Sequence, residues 1–250
     1  MIRAVILSAA ATCGFAADEA LPKAESILDK YIEVTGGKAR YQQLTTQVSS
    51  GTFEAPGQGI SGTMAAYRAA PNKLYTIVDL GQFGRIEEGA DGQVAWHMSP
   101  MTGPRLKDGA EKAFAMRAAA FNREVLWRTQ YDKAELAGIE KVGDQDCYKI
   151  VLGGKNANAE TRYYDKKTNL LVKMTMTVVT PMGEMPVENL FSDYREEGGI
   201  LSPHKLHQKA SEQEITVTIT KVEYNTALPA SRFDPPAEIK ALIAAPGHAH

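Results

Sequence analysis

Gly57-Gln58-Gly59-Ile60-Ser61-Gly62 spells G-x-G-x-x-G, the pattern of a loop that cradles a dinucleotide pyrophosphate. That chemistry needs a buried apolar strand just before the first glycine. Here the preceding residues are Ser49-Ser50-Gly51-Thr52-Phe53-Glu54-Ala55-Pro56, too polar for a central parallel strand. The pattern reads better as a glycine-rich hairpin loop. The serine-hydrolase elbow G-x-S-x-G, the zinc pattern H-E-x-x-H and paired-cysteine zinc spacings are all absent from the sequence. His204 and His207 are three apart in a β-like stretch, which points them to opposite faces and argues against a shared metal. They read as surface-strand histidines. Glu87-Glu88 and Glu196-Glu197 are adjacent in similar stretches, so each pair diverges rather than forming an acid-base couple.

The methionines offer a different chemistry. Beyond Met1, Met98 and Met101 lie together, and Met174, Met176, Met182 and Met185 form a second group. Flexible thioethers suit a surface that adapts to varied apolar ligands, and they equally fill gaps in an ordinary core. Trp96 and Trp127 carry the same two readings.

Positioning these residues falls to a mainly antiparallel β scaffold. From about residue 45, short β-rich runs alternate with turn signals such as Ala70-Pro71-Asn72, Asp91-Gly92, Gly143-Asp144 and Gly198-Gly199. In 169–179, Leu170, Val172, Met174, Met176 and Val178 alternate with Lys173, Thr175 and Thr177, as in a sheet covering a core on one side. In 214–225, Ile215, Val217 and Ile219 alternate with threonines until the phase flips at Lys221-Val222, which predicts a bulge. Leu21, Ala24, Ile27, Leu28, Tyr31 and Ile32 predict a helix over 18–34, stopped by Gly36-Gly37. The Ala-, Glu- and Arg-rich stretch from Asp108 to Gln130 predicts one or two helices between hairpins, and a last short helix is expected at Ala237–Ala244. Helices before and within the sheet can cover one concave face as a lid, a shape that holds a greasy ligand.

The chain has 250 residues, 44% of them hydrophobic, enough for one sizeable core. A net charge of −2 gives no basic face for a nucleic acid. Arg3 is the only charge before Asp18, an apolar run follows it, and Gly14-Phe15-Ala16 precedes Ala17-Asp18-Glu19. This is the pattern of a cleaved secretory signal at 1–16, cut after Ala16 or Ala17 and leading to the periplasm. The run falls short of the ~20 apolar residues that span a bilayer, so no integral membrane protein is expected. Residues 17–245 then form a single domain and 246–250 a disordered tail. Thr12, Ala11 and Ala10 before Cys13 do not make a lipidation box, and Cys147, in an apolar run, reads as a small buried hydrophobe.

Three stretches carry a family resemblance. They are Thr63-Met64-Ala65-Ala66-Tyr67-Arg68-Ala69-Ala70-Pro71-Asn72-Lys73-Leu74; then Ala90-Asp91-Gly92-Gln93-Val94-Ala95-Trp96 with Ser99-Pro100; then Asp193-Tyr194 through Gly199-Ile200-Leu201-Ser202-Pro203 to Val222-Glu223-Tyr224-Asn225 and Phe233-Asp234-Pro235-Pro236. In order and spacing they resemble the LolA/LolB-like periplasmic lipoprotein carriers, in particular the "outer membrane lipoprotein-sorting protein" group. The resemblance implies a half-open antiparallel β-barrel around a helical lid, a hydrophobic cavity for acyl chains, and no metal or organic cofactor. It also implies a lid contact for Arg68, although Ala69 and Ala70 separate this arginine from Pro71, where the family places it beside proline. The expected cavity lining is Met64, Trp96, Phe114, Trp127, Met174 and Met176. The expected partners are lipoprotein or lipid acyl chains and envelope membrane machinery. Two alternatives stay open: an envelope enzyme acting on a lipid-like substrate, and a non-catalytic envelope interaction module.

Overall fold

The structure, a computed structural model, describes residues 21–154, 157–180 and 183–245. The expected leader at 1–16, Met182 and the tail at 246–250 lie outside the described residues. One sheet of thirteen strands dominates. Its strands are β1 (Thr46–Ala55), β2 (Ile60–Ala69), β3 (Lys73–Asp79), β4 (Arg85–Ala90), β5 (Ala95–Ser99), β6 (Gly103–Leu106), β7 (Lys133–Val142), β8 (Gln145–Gly154), β9 (Ala157–Asp165), β10 (Leu171–Thr180), β11 (Gly183–Glu197), β12 (Ile200–Ala210) and β13 (Gln213–Tyr224). Their order is 6-5-4-3-2-1-13-12-11-10-9-8-7, antiparallel throughout. The chain thus meanders outward from β1 to β6, crosses over, and meanders back from β7 until β13 pairs with β1. Strands β6 and β7 remain the two edges, so the sheet is open rather than a closed barrel.

The helices are α1 (Ala24–Val34), α2 (Lys38–Gln42), α3 (Gly109–Ala119), α4 (Trp127–Gln130) and α5 (Ala237–Ala244). Of the helix expected over 18–34, residues 18–20 lie outside the described residues and 21–23 precede α1, which starts at Ala24; α2 follows the double glycine where no helix was expected. The stretch from Asp108 to Gln130 resolves into two helices as anticipated, and it forms the crossover between β6 and β7.

Helix α1 buries Ala24, Ile27, Leu28, Tyr31 and Ile32 on one stripe. Burying each large side chain stabilises the docked helix by about 1.5–3 kcal/mol. They join Trp127, Tyr131, Ile150, Leu152, Tyr164 and Leu171 in the main core, over the β7–β10 part of the sheet. The helix ends at Thr35, whose hydroxyl donates to the Tyr31 carbonyl at 2.7 Å and accepts from Tyr41 Oη at 3.0 Å. Gly36 has φ +134°, and a Cβ there would lie 2.6 Å from the Gly199 carbonyl. Only glycine lets the helix end approach the β11–β12 turn so closely.

Two sheet irregularities matter below. The phase flip expected near Lys221-Val222 is a register shift between β1 and β13, where Ser50 pairs with Lys221 and Gly51 with Ile219. A second shift lies at Val172, since Leu171 pairs with Tyr164 and Lys173 with Tyr163. It corrects the simple alternation expected over 169–179: Leu171, not Leu170, is buried in the core, and the strand runs to Thr180.

Candidate functional site

Register sorts the side chains onto two faces, because directly paired residues share a face. Met64 pairs with Gly51 and Val78, and Gly51 pairs with Ile219. Val217 pairs with Phe53 and Leu206, and Leu206 with Phe191. Met174 pairs with Asn189 and Arg162, and Met176 with Val187 and Glu160. Alternation places all of these on the face covered by α1 and α3, and the intervening positions on the other. The contrast in composition is sharp along several strands. Met174, Met176 and Val178 look inward while Lys173, Thr175 and Thr177 look outward; Ile215, Val217 and Ile219 look inward while Thr216 and Thr218 look outward.

In an ordinary sheet such an apolar face is sealed. Here Met64, Phe53, Val78, Met176, Leu206, Val217 and Ile219 all stay partly exposed. Helix α3 crosses this floor, touching β4 and β5 on one side and β9 and β10 on the other. Its buried residue, Ala119, packs with Ala90 and Ala95, with Leu74, Ala115 and Met116 around them.

Polar groups fasten the ends of α3. Near its start Glu111 accepts two hydrogen bonds from Arg105 of β6, both 2.7 Å. At its end Arg68 Nη2 donates to the Ala118 carbonyl at 2.7 Å and the Ala120 carbonyl at 3.3 Å. Burial, with the nearby Arg123 charge, brings the Arg68 guanidinium down to about 10, so it is still charged at neutral pH. A cation at the last carbonyls of a helix also meets the negative end of its dipole. The chain then returns to the sheet: Phe121 N–H donates to the Pro71 carbonyl, and Asn122 donates to the Tyr41 carbonyl.

Beside Arg68, between the sheet, α2 and the α3–α4 connection, is a cavity of about 300 Å³. Tyr31, Tyr41, Leu44, Leu74 and Ile200 supply apolar wall, and Gln47, Arg68, Arg123, Glu124 and Ser202 supply polar groups.

Two further polar clusters sit on the inner face. Glu88 accepts from His97 Nδ1 at 2.9 Å and from Lys107 Nζ at 3.3 Å. Desolvation works to raise this half-exposed carboxyl, but the His97 hydrogen bond and the Lys107 charge hold it down at about 2. On β9, buried Arg162 donates to buried Glu160, which also accepts from Tyr131 Oη at 2.8 Å. Burial opposes the Glu160 charge, yet the charges of Arg162 and Arg123 keep its carboxyl below the usual range. Among the described residues no group of three His, Cys, Asp or Glu side chains is arranged to hold a metal ion.

The expected lining residues separate into four places. Met64, Met174 and Met176 share the inner floor, Met174 buried and the other two partly open. Phe114 lies on α3 with the Arg117 guanidinium over its ring. Trp127 is buried in the main core under α1. Trp96 is on the opposite face, which corrects its assignment to the cavity. It pairs with Gly89, and a Cβ on Gly89 would lie 2.0 Å from its ring. The outer face of β2–β6 is covered by the C-terminal segment: Arg232 lies over Tyr67, Lys73 over Phe233, and α5 packs on β6. His204 is the other correction. It is not a surface residue but fully buried, with Nδ1 3.0 Å from the Ile219 carbonyl and Nε2 3.2 Å from Glu197. His207 points the other way, towards Thr216. The G-x-G-x-x-G stretch spans the β1–β2 hairpin connection and the first three residues of β2. Cys147 is buried, and burial with the Asp165 charge raises its thiol to about 11. Arg123 and Glu124, in the cavity wall, carried no sequence signal.

No protein-family model and no curated protein sequence matches the chain. Solved structures do. A LolA superfamily protein from Nitrosomonas europaea is 15% identical with a TM-score of 0.57, covering 86% of this chain and 99% of that one. A DUF1329 family protein from Desulfovibrio piger is 13% identical with a TM-score of 0.57, covering 86% and 98%. A domain assigned as an outer membrane lipoprotein-sorting protein from Vibrio parahaemolyticus is 15% identical with a TM-score of 0.56, covering 84% and 97%. The chain therefore has the LolA-like fold. Among the described residues no helix is long and apolar enough to cross a membrane.

Proposed function

We propose that the protein is a non-catalytic carrier or binding protein that holds a lipoprotein acyl chain, or another lipid, between the inner face of its sheet and α3. The observation that carries this reading is the apolar floor left partly open: Met64, Phe53, Leu206, Val217 and Met176 face inward and yet are not sealed by the helices above them. A contiguous apolar surface without a permanent cover calls for an occupant. Each methylene buried there contributes ~0.8 kcal/mol, so an alkyl chain binds without a covalent or metal anchor. The LolA-like fold supports the same reading, since a protein of that fold is assigned to lipoprotein sorting. In this reading residues 1–16 are a leader removed on export, residues 17–245 form one lipid-binding domain, and the protein works in the periplasm with envelope membrane machinery as its partner.

Native mass spectrometry of the mature protein purified from its own envelope tests this. A stoichiometric adduct that denaturing extraction identifies as a lipid or acylated peptide is the expected result. A clean apo mass, together with failure of added lipids to bind, sinks the reading.

A further inference from the structure

The inner face is not uniformly apolar, and its exception is specific. Arg68, Ala66 and Met64 occupy alternate positions of β2 and point the same way, so the arginine stands above the apolar floor on the same strand. Two strand steps of two residues put Arg68 roughly 13 Å from Met64 along β2. The cavity of about 300 Å³ lies at the Arg68 end.

That cavity holds two guanidinium groups and one carboxylate. Arg123 and Glu124 approach to only 3.5 Å, a loose pair. Among the described residues Arg68 gives Nη2 to the end of α3, and its Nε and Nη1 have no acceptor. Arg123 also disfavours the Arg68 charge, which marks the two cations as near neighbours. The lining groups sum to one net positive charge, and Glu160, whose carboxylate Arg123 also favours, is already matched by Arg162. An alkyl chain alone gives such groups nothing, and desolvating them beside it is costly.

We infer that this cavity is the head-group end of the lipid site, taking one anionic group, a carboxylate or a phosphate, between Arg68 and Arg123 while the attached alkyl chain lies along the floor towards Met64. The inference rests on the acyl-binding reading above and narrows it to anionic amphiphiles. Planar guanidinium groups suit both anions, because each offers two oxygens to a pair of N–H donors. Glu124, on the same wall, disfavours a second negative charge.

The test is calorimetric titration of the mature protein with hexadecanoate, monohexadecyl phosphate, hexadecanol and inorganic phosphate, repeated with Arg123→Gln and Arg123→Lys. Arg123 does not hold α3, and a third of its side chain is exposed, so both variants are expected to fold, which circular dichroism checks. The two anionic amphiphiles should bind at least about tenfold more tightly than hexadecanol, the effect of one hydrogen bond to a charged group. Arg123→Gln should pull that ratio towards one, and Arg123→Lys should keep most of it. Equal binding of hexadecanol and hexadecanoate by the unaltered protein overturns the head-group site and leaves the lipid reading standing. Inorganic phosphate binding as tightly as monohexadecyl phosphate also overturns it, since the anion then owes nothing to an alkyl chain. Binding of none of the amphiphiles removes the lipid reading itself.

Discussion

Replacing Arg68 by methionine keeps the aliphatic stem and deletes the donors that hold the end of α3. Two contacts are lost: the 2.7 Å hydrogen bond to the Ala118 carbonyl and the longer 3.3 Å one to Ala120. One hydrogen bond from a charged donor is worth about 1.5–3 kcal/mol. The second is long, and the freed carbonyls face a cavity that water can enter, so the total stays within that range. At ~1.36 kcal/mol per factor of ten, local opening of the helix end should become roughly ten- to a hundredfold more frequent. Amide hydrogen exchange reads this directly. The increase should be greatest at residues 117–121 and fade towards Glu111, where Arg105 still holds the helix start. Strands β1 and β13 should keep their protection. Unchanged exchange at 117–121 would show that the guanidinium does not hold the helix. An equal increase throughout the sheet would show that Arg68 supports the whole fold and not the lid.

Three further outcomes follow from the same geometry. Met176→Glu puts a charge on the partly open inner floor and should weaken uptake of an alkyl ligand by tenfold or more with an unchanged circular dichroism spectrum, about what burying an unpaired polar group costs; unaltered binding in a lipid titration removes Met176 from the site. Trp96→Ala, on the outer face, should lower stability to denaturant by about 3–5 kcal/mol while leaving alkyl-chain affinity, measured below the unfolding midpoint, as it was. Glu88 has its carboxyl lowered from an ordinary 4.5 to about 2, so its stabilising effect is full above pH 4.5 and is lost as pH falls towards 2. Glu88→Gln should therefore flatten the acid side of the melting-temperature profile over that window, and a profile parallel to that of the unaltered protein would count against the pairing with His97 and Lys107.

The strands were legible where one face alone is apolar. In β10 and β13 the inward and outward residues differ in kind, so period two announces both the strand and its buried side. The bulge in β13 was equally visible, because an extra residue reverses that alternation. The bulge at Val172 was not, since Leu170, Leu171 and Val172 are all apolar and any phase fits them. Trp96 failed for a related reason. Its neighbour Ala95 is buried under α3, Trp96 is buried under the C-terminal segment, and a strand covered on both faces offers no polar side by which to tell them apart. Helix α2 has a single buried residue, Tyr41, too little for a periodic signal. His204 is buried because Glu197 and the Ile219 carbonyl meet it across neighbouring strands, and no local pattern encodes that. Arg68 was marked by family resemblance. Arg123 and Glu124 enter the cavity only because the chain turns back at Pro71 and Tyr41 after α3.

The two helical covers are held by different forces, one docked by apolar burial and the other fastened at its ends. Helix α1 docks through five buried apolar or aromatic side chains, and its C-terminal end is locked by the Gly36 approach to the β11–β12 turn. Lifting it exposes the main core, at a cost of several side-chain transfers. Helix α3, also eleven residues long, buries Ala119 and little else, and alanine brings small transfer energy. Its hold is polar and terminal, Arg105 with Glu111 at one end and Arg68 with two carbonyls at the other. Hydrogen bonds of this kind exchange readily with water, so opening costs a few kcal/mol at most. An alkyl chain entering below α3 would meet Ala115, Met116 and the inner floor, replacing contacts that the small alanines do not make. A poorly packed cover over an unsealed apolar floor is a fault in a structural core, but it is what a reversible lipid site requires: closure weak enough to open, and a buried surface that only the ligand completes.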